Sequence, residues 1–300
     1  MSDSMRVALI SEVFFDETGG EMAPKALGAG EIAPKALGAS ERLTEHLREA
    51  RRQGAELAVL PEIPLNPWAP ATRDERADDA EPEDGARHRL LAEAAETAGI
   101  AVLGGAIVVD PASGERRNQS LVYDAAGNFL ARYSKLHIPE EEGFWETSHY
   151  RAGSEAPLVI EGLGMPFGIQ ICSDNNRPEG THLLAAQGAE AVFVPRSTER
   201  RTWERWRTVF IANALTSCCY VLSVNRPRPE QGVLIGGASI AVAPDGEVLL
   251  QTLETLAVVT LDRNRVHHAR RDYPGYLPVR SDLYASAWSR LPARKGYGRD

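Results

Sequence analysis

The chain has 300 residues, 43% hydrophobic and 25% charged, with 33 basic against 42 acidic side chains for a formal charge of −9. This length and apolar content suit one large folded unit or two ordinary ones, and the acidic balance argues against a nucleic-acid or anionic-membrane partner. No run of about 18 apolar residues offers a membrane span, and three cysteines, two adjacent at Cys218 and Cys219, form neither a disulfide framework nor a zinc site.

The opening Met1 to Arg6 leads straight into a strand-like run and lacks the apolar core of a secretory leader. The expectation is a reduced, cytoplasmic protein. Short β-branched runs then alternate with amphipathic segments, the pattern of a layered α/β fold. Arg6 to Ile10 reads as a first strand. Glu41 to Gln53 reads as a helix, with Leu43, Leu47 and Ala50 on one face and Ser40 as N-cap.

Leu57 to Leu60 is a second strand, His88 to Ala98 a second helix, and Ile100 to Val109 a third strand. Asn118 to Tyr123 and Phe129 to Tyr133 form a strand pair across the Gly- and Asn-containing turn 124–128. Farther on come a helix at Thr181 to Gly188, a strand at Ala191 to Val194, a helix at Trp203 to Thr216 and a strand at Tyr220 to Val224. Ala238 to Ala243 and Glu247 to Leu250 form a last strand pair.

No linker divides these elements, so they read as one domain over 1–300, with a core of about 6–284 and a tail of 285–300. Two segments stand apart. Gly20 to Ala29 is repeated almost verbatim by Gly30 to Ala39, which reads as a duplicated surface loop. Ala69 to Arg87, rich in Asp, Glu and Arg, reads as a solvated, mobile loop.

Three segments carry chemistry. Phe167 to Ile171 is an apolar run that ends in Cys172 and turns polar at once. Leu57 to Leu60 leads through Pro61 to Glu62, and Tyr133-Ser134 leads to Lys135. Singly, each has a plain explanation: a surface carboxylate, a solvated lysine, a small buried hydrophobe. Together they supply what amide cleavage needs. A thiol attacks only as thiolate and requires a base. The developing oxyanion requires a fixed donor or cation. The departing amine requires a proton. Glu62 as base and acid, Lys135 as oxyanion partner and Cys172 as nucleophile fill these roles without metal or cofactor.

These segments, VLPE at 59–62, KLHIP at 135–139 and CSDNNRPE at 172–179, resemble the signature regions of the nitrilase superfamily of carbon–nitrogen hydrolases. The resemblance runs from about Val7 to about Tyr284 and includes Asn118-Gln119-Ser120, the turn 243–246 and Arg271 to Pro274. It implies a four-layer α-β-β-α sandwich that pairs in a homodimer or larger homo-oligomer. Family members carry a second carboxylate in the loop after the Lys. Glu146, following Phe144 and Trp145, fits best, with Glu142 as alternative. His137 is expected to hold that loop and Asp174 to cap the turn after Cys172. Trp68, Trp145, Asn175 and Asn176 are the candidate substrate-binding residues.

Nitrile-cleaving members typically show Trp-Glu after the Cys, whereas this chain shows Ser173-Asp174, so a small-molecule amide or N-carbamoyl substrate is expected. The register also resembles N-carbamoyl-D-amino-acid amidohydrolases, whose turn carries an Arg pair for the substrate carboxylate. Here Asn175 and Asn176 stand in that turn, with Arg177 next, and neutral amides do not replace a bidentate guanidinium. The acidic run Glu140 to Glu142 suits an amine-bearing substrate, as in the similar N-carbamoylputrescine amidohydrolases. The alternatives are a nitrilase, a transferase using the same acyl-enzyme, and a catalytically silent binding protein on this fold.

Overall fold

The computed structural model describes residues 3–15 and 38–291. Apart from Gly38 and Ala39, the duplicated segment lies outside the described residues. In chain order the elements are β1 (Ser4–Ile10), α1 (Ala39–Arg52), β2 (Leu57–Val59), β3 (Ala80–Pro82), α2 (Ala86–Ala98), β4 (Ala101–Val109), β5 (Arg116–Tyr123) and β6 (Phe129–Ser134). There follow β7 (Phe167–Ile169), α3 (Pro178–Ala186), β8 (Ala191–Arg196), α4 (Trp203–Ser217), β9 (Tyr220–Asn225), β10 (Ser239–Val242), β11 (Val248–Thr252), β12 (Leu256–Asp262), α5 (Arg263–Arg271) and α6 (Ser281–Trp288).

Two sheets form. One runs β12-β1-β2-β4-β5-β6, with β3 also on β4, and the other runs β11-β10-β9-β8-β7. Strand periodicity decides what each face meets. On β1, Val7 and Leu9 enter the core between the sheets, where they join Leu57, Leu103, Phe167, Phe193 and Leu222. Ala8 and Ile10 point the other way, against Leu43 and Leu47 of α1 and Leu91 of α2. On β8, Phe193 faces the inter-sheet core, while Val192 and Val194 meet Leu184 of α3 and Phe210 and Ala214 of α4. Helix, sheet, sheet and helix thus stack as the four-layer sandwich. Each large apolar side chain so buried contributes about 1.5–3 kcal/mol.

Local corrections have physical causes. Ser40 does not cap α1. Gly38 is the N-cap, and its backbone N–H donates to Glu41 Oε2 at 3.1 Å. Residues 69–87 are not a bare loop: two 3₁₀ turns, Ala69–Ala71 and Ala77–Asp79, lead into β3, which pairs parallel with the end of β4. The acidic content there serves structure. Glu81 accepts the backbone N–H groups of Arg87 at 2.9 Å and His88 at 3.0 Å, and its Oε1 lies 2.8 Å from the His88 ring. Strand β12, α5 and α6 were not among the elements expected from the sequence. Strand β12 pairs antiparallel with β1 along its whole length.

Candidate active site

Four chain segments meet where both sheets end. Strand β2 stops at Val59, but Leu60 still donates to Leu103 O at 2.9 Å, so the ladder carries the chain to Pro61 and Glu62. Ile63 then adopts φ +38°, a left-handed conformation unusual for a β-branched residue. Lys135 directly follows β6 and extends its pairing by donating its N–H to Asn118 O at 2.9 Å. Glu146 opens a 3₁₀ turn, Glu146–Ser148. Cys172 opens another, Cys172–Asn176, and itself has φ +48°, the kind of held strain that concentrates at functional positions.

Lys135 lies at the centre, fully buried. Its Nζ donates to Glu62 Oε1 at 2.8 Å and to Glu146 Oε2 at 2.5 Å, and both carboxylates are 0–1% exposed. Around them, Asn118 Nδ2 donates to Glu62 Oε1 at 2.8 Å and Tyr150 Oη donates to Glu146 Oε2 at 2.5 Å. Cys172 is 4% exposed, and its Sγ lies 3.8 Å from the carbonyl oxygen of Ser197. Three polar atoms here are buried without a hydrogen-bond partner among the described residues: Glu62 Oε2, Glu146 Oε1 and Ser197 Oγ. Buried polar atoms without partners are costly, so a substrate or water that pairs with these three is favoured.

The electrostatics follow from one ammonium serving two carboxylates. Burial pushes the Lys135 ammonium down, but the charges of Glu146 and Glu62 outweigh it, so its pKa lies above the ordinary lysine value. Burial, reinforced by the charge of Glu62, pushes the Glu146 carboxyl up to about 7 against the pull of Lys135. Burial also raises the Cys172 thiol, as do the charges of Glu62 and Glu146, with Lys135 opposing. The resting sulfur is therefore a thiol that needs a base.

The supporting turn is held by Asp174. It accepts the backbone N–H groups of Leu136, His137 and Ile171 at 2.8–3.1 Å, the Tyr133 hydroxyl at 2.9 Å, and contacts the His137 ring at 2.8 Å. Two segments of the site are thus tied to one carboxylate.

The expected substrate contacts separate. Trp68 is fully buried, packs edge-on against Phe144 with ring centroids 5.6 Å apart, and donates Nε1–H to Gly143 O at 2.8 Å. Trp145 is half-buried with the Arg73 guanidinium 3.9 Å from its ring centroid. Asn175 is fully buried; its Nδ2 donates to Gln170 Oε1 at 2.8 Å and Thr181 Oγ1 at 3.1 Å, and its Oδ1 has no partner among the described residues. Asn176 is exposed, as is Glu142. Tyr150, Ser197 and Arg226 were absent from the expected set. Tyr150 and Arg226 lie close in sequence to their partners Glu146 and Glu230, but outside any α-helix that spacing is no signal, and only the fold reveals the pairs.

Among the described residues, no cluster of three or more His, Cys, Asp or Glu side chains is placed to hold a metal ion. The space between the two carboxylates is filled by Lys135.

Residues 27–271 match the sequence model of the carbon–nitrogen hydrolases. The chain belongs to that family. A carbon–nitrogen hydrolase of this kind is similar over most of its length to two curated proteins. One is the deaminated glutathione amidase of Synechocystis, 29% identical over 77% of this chain and 91% of that protein. The other is human omega-amidase NIT2, 28% identical over 81% and 90%. The carbon–nitrogen hydrolase of Helicobacter pylori G27 superposes with a TM-score of 0.79 at 19% identity, over 96% of this chain and 100% of that one, which establishes the shared fold.

Proposed function

We propose that this carbon–nitrogen hydrolase is an amidase that cleaves small amides, with N-carbamoyl amines as a second substrate class, through a thioester on Cys172. The observation that carries this reading is the buried Glu62–Lys135–Glu146 cluster with two carboxylate oxygens left unpaired. An amide offers one carbonyl oxygen and N–H donors. The carbonyl takes the third proton of Lys135 Nζ, already aligned by the other two. The N–H groups take Glu146 Oε1. The similarity to two proteins named as amidases supports the same reaction class.

Glu62 accepts the thiol proton as sulfur attacks the carbonyl carbon. The oxyanion is stabilised by Lys135 and by the backbone N–H of Ser173. Collapse of the tetrahedral intermediate breaks the carbon–nitrogen bond while Glu62 returns the proton to the departing amine or ammonia. A water then gives its proton to Glu62 and attacks the thioester, and the thiolate leaves with that proton. Glu146 holds the Lys135 ammonium and the substrate nitrogen. We take the chain as one such domain over 1–300.

The test is a panel of short aliphatic amides, N-carbamoyl amines, N-carbamoyl amino acids and nitriles, assayed for ammonia. Release from amides, with N-carbamoyl amines next, supports the proposal. Release from nitriles alone makes the enzyme a nitrilase, and release from none of them overturns it.

A further inference from the structure

The turn that carries Glu62 is gripped from the other sheet. Arg226 follows β9, is fully buried, and uses every one of its five N–H groups. Nη1 donates to Glu62 O and to Ile63 O, each at 2.9 Å, and Nη2 donates to Asn66 O at 2.8 Å. The remaining two go to Glu230, Nε to Oε1 at 2.8 Å and Nη2 to Oε2 at 2.5 Å. The grip falls on the residue where the backbone is strained, Ile63 at φ +38°, and such a conformation persists only where its surroundings hold it.

Glu230 passes the contact on. Its Oε2 also accepts the backbone N–H of Trp68 at 3.1 Å, and the Trp68 indole N–H donates to Gly143 O at 2.8 Å. Gly143, at φ +77°, begins the short segment that delivers Glu146 to Lys135. One buried ion pair therefore touches the supports of both carboxylates.

We propose that the Arg226–Glu230 pair is the positioning device that sets Glu62 and Glu146 on either side of Lys135, Glu62 through its own backbone and Glu146 through Trp68 and Gly143. The proposal rests on the reading of Glu62 and Glu146 as catalytic. A pair that only stabilised the fold would affect melting and leave the chemical step alone. A positioning pair affects kcat even in a well-folded variant; residues that orient metal ligands cost about 10–100-fold when removed, and a loss of that order is expected here.

The test uses three substitutions in the full chain, each assayed on butyramide and, independently of turnover, by the rate at which iodoacetamide alkylates Cys172. Glu230→Gln keeps the shape but turns an N–H group towards the donors of Arg226 or Trp68. Trp68→Phe keeps an aromatic ring and deletes one hydrogen bond, to Gly143. Arg226→Lys keeps the charge but cannot span three carbonyls and a carboxylate.

For Glu230→Gln and Arg226→Lys we expect kcat to fall about 10–100-fold with KM within about threefold, and the acid limb of the kcat/KM profile to move. For Trp68→Phe we expect a smaller loss of the same kind. In all three, alkylation of Cys172 at neutral pH slows. If Arg226→Lys does not fold, the other two decide. Folded Glu230→Gln and Trp68→Phe proteins with kcat and alkylation within twofold of the parent overturn the proposal, whatever their melting temperatures. Should the parent hydrolyse no amide, the alkylation rates still decide the positioning role, so failure of the proposed function and failure of this inference remain distinguishable.

Discussion

Glu146 is held in two opposed ways. Lys135 favours its charged form, while burial and the neighbouring Glu62 disfavour it, and the second influence wins, raising its carboxyl to about 7. The folded chain therefore keeps this proton to a higher pH than the unfolded chain, whose glutamates titrate near the ordinary 4.5. Between about 4.5 and about 7 the folded state binds more protons, so the contribution of Glu146 to stability falls as pH rises through that window. Substituting Glu146→Gln removes the titration. The melting temperature of the parent minus that of Glu146→Gln should decline from pH 4.5 to 7. A difference that is flat or climbs across that range contradicts the assignment. The same substitution should slow amide hydrolysis, since Gln is uncharged and has one acceptor oxygen where Glu146 has two, so it cannot serve the ammonium and the substrate nitrogen together.

At the scale of elements, strand ends deliver the chemistry and small residues let them approach. Gly105 on β4 has no Cβ because one would lie 2.7 Å from Gln119 O of β5 and 3.6 Å from the backbone nitrogen of Ile63. Gly105→Ala should push β4 from β5, at a cost of about 1–3 kcal/mol for overpacking, read as a lower urea midpoint. An unchanged midpoint would mean that the sheet accommodates the methyl freely.

Many of these elements were legible in the sequence, because period-two runs such as Arg6 to Ile10 and Ala191 to Val194 encode one face to the inter-sheet core and the other to the helices. The convergence of Glu62, Lys135 and Glu146 was legible only through the motifs, since neighbours that far apart in sequence leave no periodic trace. The features with no local sequence signal are set by tertiary contact. Strand β3 is three residues long and exists because β4 has an open position beside it. Arg226 looks like any charged residue in a Pro-rich turn until five acceptors surround it. Asn175 reads from the sequence as a ligand-binding amide in the turn after Cys172; its Nδ2 is taken by Gln170 and Thr181, while its Oδ1 has no partner among the described residues.

At the scale of the whole molecule, the C-terminal end of the described chain exposes apolar side chains. Between Tyr273 and Leu291, eight large apolar side chains are exposed, among them Tyr273 at 75%, Tyr284 at 66% and Trp288 at 52%, and α6 buries none of its residues. Large exposed apolar side chains gathered in one stretch of chain suit an association surface. We propose that it packs against a second copy of the chain in a homodimer or larger homo-oligomer. Sedimentation should give at least the mass of two chains. The double substitution Tyr284→Glu with Trp288→Glu should shift it towards one. A parent that sediments as a single chain at micromolar concentration contradicts this. No helix among the described residues is long and apolar enough to cross a membrane.

In the proposed mechanism Cys172 becomes covalently acylated by the substrate while Glu62, Lys135 and Glu146 manage charge and protons around it. Acid-quenched mass spectrometry during turnover of the best amide from the panel tests it most directly. The expected result is a mass increase equal to the acyl group less the thiol hydrogen on the peptide carrying Cys172, absent from Cys172→Ala, which should release ammonia at a rate lower by at least about a thousandfold. An unmodified Cys172 at every quench time, together with undiminished hydrolysis by Cys172→Ala, would contradict it.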